Sequence, residues 1–444
     1  MQGFGAAGAW WPNDLVNFAP EVQQHVAEML FAGSGIQLSV YRYNIGGGGL
    51  GVKNATRAPQ TFLDTPGNYT WSRDRGGRLF LELAAAQRVP VLVGFVNSAP
   101  AIWTTNGQNC GGYLKPGSEP AYAGYLADVV QHFEGEGITL SYVSPMNEPD
   151  YRFEDGSQEG MAVPTVQRAV LVQAVGQALA RQAPYSRVIA DESSHVGDQF
   201  NPEVPQWMTI PGTPQYVAAL VHHLYDFPND TPLQIARGIG ALYGKALWCT
   251  ELCCIDSETG VFGKQYDPTI SGAMPMANRI WQCLTQANDA AFHWWVACSP
   301  EIGSDPTAVN PDGWNDGLLY YDSNQRIYTT KRFYAMGNFS RYVRPGYRRH
   351  PVIGGPGNLR MLAFTGPGGW SVVVINNSPA GSAATSVSIQ LPDTPWPALA
   401  VAGAVETSAA RSLEPAPRPH LSSTRLLRST VPAQSVTTYL LAGR

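Results

Sequence analysis

Charge is scarce in this chain. Asp, Glu, Lys and Arg make up 14% of its 444 residues, the net charge is −5, and only five lysines occur (Lys53, Lys115, Lys245, Lys264, Lys331). With 44% hydrophobic residues, such a sequence is not a charge-solvated, disordered chain. No Lys/Arg stripe could neutralise a row of phosphates, so nucleic acid is not expected as a partner. No apolar run approaches the roughly 20 residues of a membrane-spanning helix, so membrane insertion is not expected either. Cysteine is sparse. Cys110, Cys249, Cys253, Cys254, Cys283 and Cys298 contain no CxxC pair, and they read as small buried hydrophobes rather than as metal ligands or a disulfide framework. The opening Met1-Gln2-Gly3-Phe4-Gly5 has no basic segment followed by an apolar core, so no secretion signal is read in this chain.

Aromatic residues, by contrast, are plentiful: 11%, with 12 tryptophans. Such a supply of flat apolar surface suits sugar rings. Eight short apolar or β-branched runs recur with helical stretches between them: Gly3–Gly8, Ile36–Tyr43, Val89–Val96, Ile138–Pro145, Arg187–Asp191, Val217–Leu224, Lys245–Glu251 and Ala290–Val296. Helical periodicity marks Glu21–Phe31, Arg78–Arg88, Ala121–Phe133 and Val166–Arg181. Eight strand–helix units in about 340 residues predict an α/β fold, a (β/α)8 TIM barrel. A doubly wound open sheet is the alternative, but Gly46–Gly49 lacks the GxGxxG spacing for nucleotide binding. Beyond Tyr342 the pattern changes to alternating runs at 360–364, 370–375, 386–391, 399–405 and 435–441, with Glu414–His420 as a Pro-rich loop. The predicted division is a barrel over 1–342 and an appended C-terminal antiparallel β-sandwich over 343–444.

Barrel chemistry gathers at the C-terminal ends of strands. The fourth run leads into Asn147-Glu148-Pro149 and the seventh ends at Glu251. Two carboxylates three strands apart would face each other across the mouth, one protonating a leaving oxygen while the other attacks a sugar carbon. Asn147 is suited to bond a hydroxyl beside the reacting carbon.

These residues carry a resemblance. The NEP tripeptide, the Glu ending strand seven, Gly3-Phe4-Gly5 with Trp10-Trp11, the run Arg42-Tyr43-Asn44-Ile45-Gly46-Gly47-Gly48, and Ser98–Gly107 together resemble glycoside hydrolase family 30. Within it the likeness is to endo-β-1,6-galactanases. The resemblance spans the chain, since the family also pairs a barrel with a β-sandwich. It implies Glu148 as general acid/base and Glu251 as nucleophile. The family's strand before Gly-Phe-Gly is missing here. The expectation is a secreted protein whose leader is absent from this chain, or a cytoplasmic one if Met1 is the native start.

Arg42, ending strand two, is a candidate to hold Glu251 ionised. His223 and Tyr225 share a face by the period-two rule, with His222 turned away; the resemblance places such residues near the nucleophile. Asn97, Trp294, Trp295 and Trp11 complete the candidate substrate-binding set, and Trp10, Trp71, Trp103 and Tyr113 are candidates for outer subsites. Asp191-Glu192 reads as a loop-ordering pair. No His/Asp/Glu spacing completes a metal site, and no cofactor is called for. The expectation is thus a monomeric retaining endo-β-1,6-galactanase acting on a β-linked polysaccharide. The alternatives are a family 30 xylanase, β-1,6-glucanase or glucosylceramidase, or a catalytically silent carbohydrate-binding protein.

Overall fold

The computed structural model describes residues 1–392, 396 and 398–443. Eight parallel strands close on themselves: β1 (Gly3–Gly8), β2 (Val40–Asn44), β3 (Val91–Phe95), β4 (Tyr142–Ser144), β5 (Arg187–Ser193), β6 (Val217–His223), β7 (Ala246–Glu251) and β8 (Ala291–Ser299). Closure comes from β1, which pairs with β2 on one side (Gly5 with Val40) and β8 on the other (Gly3 with Ala291). Each strand is followed by a helix: α1 (Pro20–Phe31), α2 (Arg75–Ala86), α3 (Glu119–Gly135), α4 (Thr165–Gln182), α5 (Asn201–Met208), α6 (Asp230–Tyr243), α7 (Ile270–Gln282) and α8 (Lys331–Ser340). The expected (β/α)8 barrel is therefore present. A hairpin of β9 (Gly317–Tyr321) and β10 (Ile327–Thr329) extends the sheet alongside β8.

Two strands start four residues after their apolar runs begin. Ile36 and Leu38 bond back to Met29 and Leu30 of α1, and Ile138 to Phe133 of α3. The first residues of each run close the helix-to-strand turn instead of joining the ladder, yet they stay buried. Inside the barrel Val40, Val91, Val93, Ile189, Val221 and Trp248 form one apolar layer, which is the floor of the site above it. The glycine run after β2 wraps a buried carboxylate: Gly47 and Gly49 donate their amides to Glu159 at 3.3 and 2.7 Å. Gly49 sits at φ 72°, a conformation that favours glycine.

After the barrel, a six-stranded antiparallel sheet is formed by β11 (Arg348–His350), β12 (Leu359–Gly366), β13 (Gly369–Asn376), β15 (Leu399–Thr407), β16 (Ser412–Pro415) and β19 (Ser435–Gly443). It faces a three-stranded sheet of β14 (Thr385–Gln390), β17 (His420–Leu421) and β18 (Leu426–Val431). Strand β13 is buried throughout, and its alternation explains why. Val372 and Val374 enter the core between the two sheets, whereas Val373 and Ile375 join the core shared with the barrel. Each fully buried Val or Ile is worth about 1.5–3 kcal/mol. The reading of Glu414–His420 as loop is corrected at both ends: Glu414 and Pro415 pair with Glu406 and Val405, and His420 pairs with Arg428. Short edge pairings of this kind carry no apolar alternation to reveal them.

Cys110, Cys249, Cys283 and Cys298 are buried free thiols, as expected. Cys253 and Cys254 are instead joined in a disulfide between neighbours, which corrects the reading of all six cysteines as buried hydrophobes. No spacing rule anticipates it, because the pairing depends on local backbone conformation. Among the described residues, no helix is long and apolar enough to cross a membrane.

Candidate active site

Strand alternation aims the site. In β2, Val40 belongs to the interior layer, so Arg42 points inward two residues on. In β6, Ala219 and Val221 line the same layer, so His223 points inward and His222 outward, where its Nε2 lies 3.1 Å from Asp289. Glu148 lies beyond the end of β4 at φ 44°, and Glu192 in β5 at φ 64°. The Glu148 amide donates to the Glu192 carbonyl at 3.0 Å, which pins these two left-handed residues together.

Glu148 and Glu251 meet. One carboxylate oxygen of each and a ring nitrogen of His223 all lie within 4.8 Å of one another. Arg42 donates to Glu251 Oε2 at 3.0 Å and to Asn147 Oδ1 at 3.3 Å, and its guanidinium rests 3.9 Å over the Phe95 ring. Tyr225 donates its hydroxyl to the other Glu251 oxygen at 2.8 Å. His223 bridges two acids, with Nδ1 3.1 Å from Glu148 and Nε2 2.9 Å from Glu192.

Glu192 is the residue that sequence reading set aside. Asp191 does order structure outside the barrel, accepting from Arg168 of α4 and Trp207 of α5 at 2.9 and 2.8 Å. Glu192 turns inward, fully buried. It forms an ion pair with Arg42 at 3.3 Å and accepts from the Thr250 hydroxyl. Simple alternation from Ile189 would have sent Asp191 inward, but the register shifts between β5 and β6 at this point, and no periodicity in the sequence reports that shift.

The electrostatics follow from counting charges. Three buried carboxyls, Glu148, Glu192 and Glu251, face two cations, Arg42 and His223, so one carboxyl balances the group by keeping its proton. Burial pushes Glu148 above the ordinary carboxylate range; the His223 hydrogen bond opposes this and the charge of Glu251 adds to it. Burial would raise Glu192 too, but Arg42 and His223 hold it well below that range. For His223, burial alone would lower the pKa, yet Glu251, Glu148 and Glu192 raise it to about 10. Among these carboxyls, the surroundings of Glu148 favour its protonated form. Glu148, His223 and Glu251 are also close enough to hold a metal ion; as placed, His223 Nδ1 faces Glu148 and Nε2 faces Glu192.

Above these groups opens a cavity of about 590 Å³, lined by Glu148, Glu251, Tyr225, Trp10 and Trp295 among others. Of the adjacent tryptophans in β8, Trp295 faces it and meets Trp10 edge-to-face at 5.1 Å. Trp294 turns outward, donating to the Asp316 carbonyl at 2.7 Å. Trp11 is a correction as well: it is fully buried against Phe80 of α2, with its indole N–H on the Ala7 carbonyl. Asn97 is buried with both amide atoms unbonded to described residues and does not line the cavity. Trp71 stacks on His132, and Trp103 packs on Tyr122 and Tyr125. Tyr113 lies under Arg152, also outside the cavity. In their place the cavity wall uses Tyr151, Phe153, Phe262 and Trp314. These lie on loops, where no repeating pattern marks them.

Residues 1–206 match the family model described as O-Glycosyl hydrolase family 30. The matches support glycoside hydrolase family 30 for this chain. The chain is 26% identical over 353 residues to the glucuronoxylanase XynC of Bacillus subtilis, covering 76% of this chain and 69% of that one. Its fold is similar to that of a conserved exported protein from Bacteroides fragilis, with TM-score 0.81, 21% identity and coverage of 99% and 97% of the two chains. A family 30 subfamily 8 xylanase from Clostridium acetobutylicum matches with TM-score 0.76, 22% identity and coverage of 100% and 96%.

Proposed function

We propose that this family 30 glycoside hydrolase is a retaining β-glycosidase working by double displacement, with residues 1–342 as the catalytic unit and 343–444 as a side domain. One observation carries the reading: an oxygen of Glu148 and an oxygen of Glu251 lie within 4.8 Å of each other at the barrel mouth. Retaining enzymes hold their carboxyls about 5–5.5 Å apart, whereas inverting enzymes need about 6.5–9.5 Å to admit water. Glu251, held by Arg42 and Tyr225, attacks the anomeric carbon while Glu148 gives its proton to the departing oxygen. Glu148 then takes a proton from water, which releases the sugar from Glu251. No metal or organic cofactor is needed for these steps. Asn147 accepts from Arg42, which leaves its amide N–H groups as donors toward a sugar hydroxyl.

For the substrate we propose the β-1,6-linked galactan side chains of arabinogalactan, cleaved internally by an exported, monomeric enzyme. The charge of the cavity supports a neutral polymer. Glu148, Asp150, Glu251, Glu301 and Asp316 line it, against Arg57 and His195, and Arg57 is already paired with Asp14 at 2.9 Å. An acidic glucuronate branch would meet net like charge there. The test is product analysis on β-1,6-galactan, glucuronoxylan and β-1,6-glucan, with NMR of the first-formed anomer. Galacto-oligomers released with retained β-configuration are expected. Activity on glucuronoxylan or β-1,6-glucan without any on galactan would overturn the substrate assignment, and an inverted product would overturn the mechanism.

A further inference from the structure

Two residues beyond Glu251, the Cys253–Cys254 disulfide lines the same cavity as the two carboxylates, and the double displacement makes no use of it. The wall around it is fixed from several sides. Tyr225, whose hydroxyl donates to Glu251, also lies 3.8 Å from Cys253 Sγ. The Cys254 amide donates to the Asn315 carbonyl at 3.3 Å, and the Cys254 carbonyl accepts from Gly263 at 2.9 Å. Asn315 is itself held by Arg332. Beyond the bridge, Phe262 is 52% exposed and its ring lies 5.7 Å from that of Trp314.

The geometry points to a sugar-contacting platform: the disulfide supports the C–H face of the pyranose that Glu251 attacks, and Phe262 with Trp314 continues the surface outward. The inference rests on the glycosidase reading above. In a cavity with five carboxyl groups, the bridge brings neither charge nor N–H or O–H donor. Its polarisable sulfurs offer dispersion contact. Joined, the two side chains cannot rotate independently, so the surface is ordered before the sugar arrives and costs little entropy on binding. A dithiol reductant would open it, closing to its own cyclic disulfide while each cysteine sulfur gains a proton; the two freed thiols would then move separately.

The first measurement is alkylation of the denatured full chain followed by intact mass. Four alkyl groups are expected before reduction, one for each free thiol, and six after it; six without reduction would overturn the bridge. The second is kinetics on whichever of galactan, glucuronoxylan and β-1,6-glucan the unaltered enzyme degrades. Dithiothreitol, or the double change Cys253→Ser with Cys254→Ser, is expected to raise KM about tenfold while kcat falls less than about threefold. Phe262→Ala, on an exposed side chain, is expected to raise KM severalfold and keeps the test open if the double variant does not fold. Oligosaccharide affinity of the Glu251→Gln form should weaken in parallel on reduction. An active enzyme whose KM ignores both reduction and Phe262→Ala overturns the platform alone. Inactivity of the unaltered enzyme on all three polymers overturns the glycosidase reading and the platform with it.

Discussion

Arg42 reaches Glu251 at 3.0 Å from a position with no solvent exposure, so the acid proposed to attack is paired before any substrate arrives. The guanidinium also holds Asn147 and Glu192, a geometry that a lysine ammonium cannot span. Arg42→Lys is expected to fold and to lose about 10- to 100-fold in kcat, since a charge-assisted hydrogen bond is worth about 1.5–3 kcal/mol. Circular dichroism and steady-state rates check it; an unchanged kcat would show that Glu251 needs no such partner.

Replacing either proposed catalytic acid should be far more severe. Glu251→Gln and Glu148→Gln are each expected to lower kcat by at least about 10³-fold on a polysaccharide substrate. Melting temperature serves as the control for folding.

Glu192 offers a sharper test because it touches neither bond being broken. Removing its charge with Glu192→Gln leaves Glu148 and Glu251 facing Arg42 and His223, a balanced set in which Glu148 no longer has to keep a proton. Its pKa should fall, so the alkaline limb of the kcat/KM–pH profile should move to lower pH. A rate loss without that movement would make Glu192 a purely structural residue.

His223 links stability to pH. Its pKa is raised to about 10 in the folded protein, against about 6.5 in an unfolded chain, so folding favours the protonated form. That contribution is fully present below about pH 6.5 and is lost as pH rises through about 10. The melting temperature is expected to fall between pH 7 and 10.5, and to fall less steeply in His223→Gln. Parallel slopes for the two proteins would remove His223 as the cause.

Polar contacts cross the joint between barrel and side domain, among them Asn278 with Asn377 and Lys331 with Ser412. Asn338 of α8 donates to the Val405 carbonyl and the Thr438 hydroxyl at 3.2 Å each, and accepts from the Thr407 hydroxyl at 2.6 Å. Asn338→Ala leaves those buried groups without their partner, at a cost of about 1–3 kcal/mol. A drop of a few degrees in melting temperature is expected, with KM unchanged because none of these residues lines the cavity.

The barrel was legible because each strand is a short apolar run whose period matches its environment, and the two glutamates because they terminate such runs. Arg42 was legible from its place at the end of a strand, and His223 from period-two alternation together with the family resemblance. Glu192 was not, since a register shift reverses alternation just where it matters. Trp11 and Trp294 were misplaced for a related reason: of two adjacent tryptophans, sequence shows that one faces in, not which one. The cavity's loop aromatics and its disulfide have no periodicity at all.

What the amino-acid order settled by itself is therefore the repeating architecture and the residues carried on regular strands, because alternation is a local property of the backbone. Tertiary structure decided the rest. The separation of Glu148 from Glu251, the raised pKa of Glu148 and the identity of the cavity wall depend on which distant segments share one desolvated space, and charge balance there is set by all of them together.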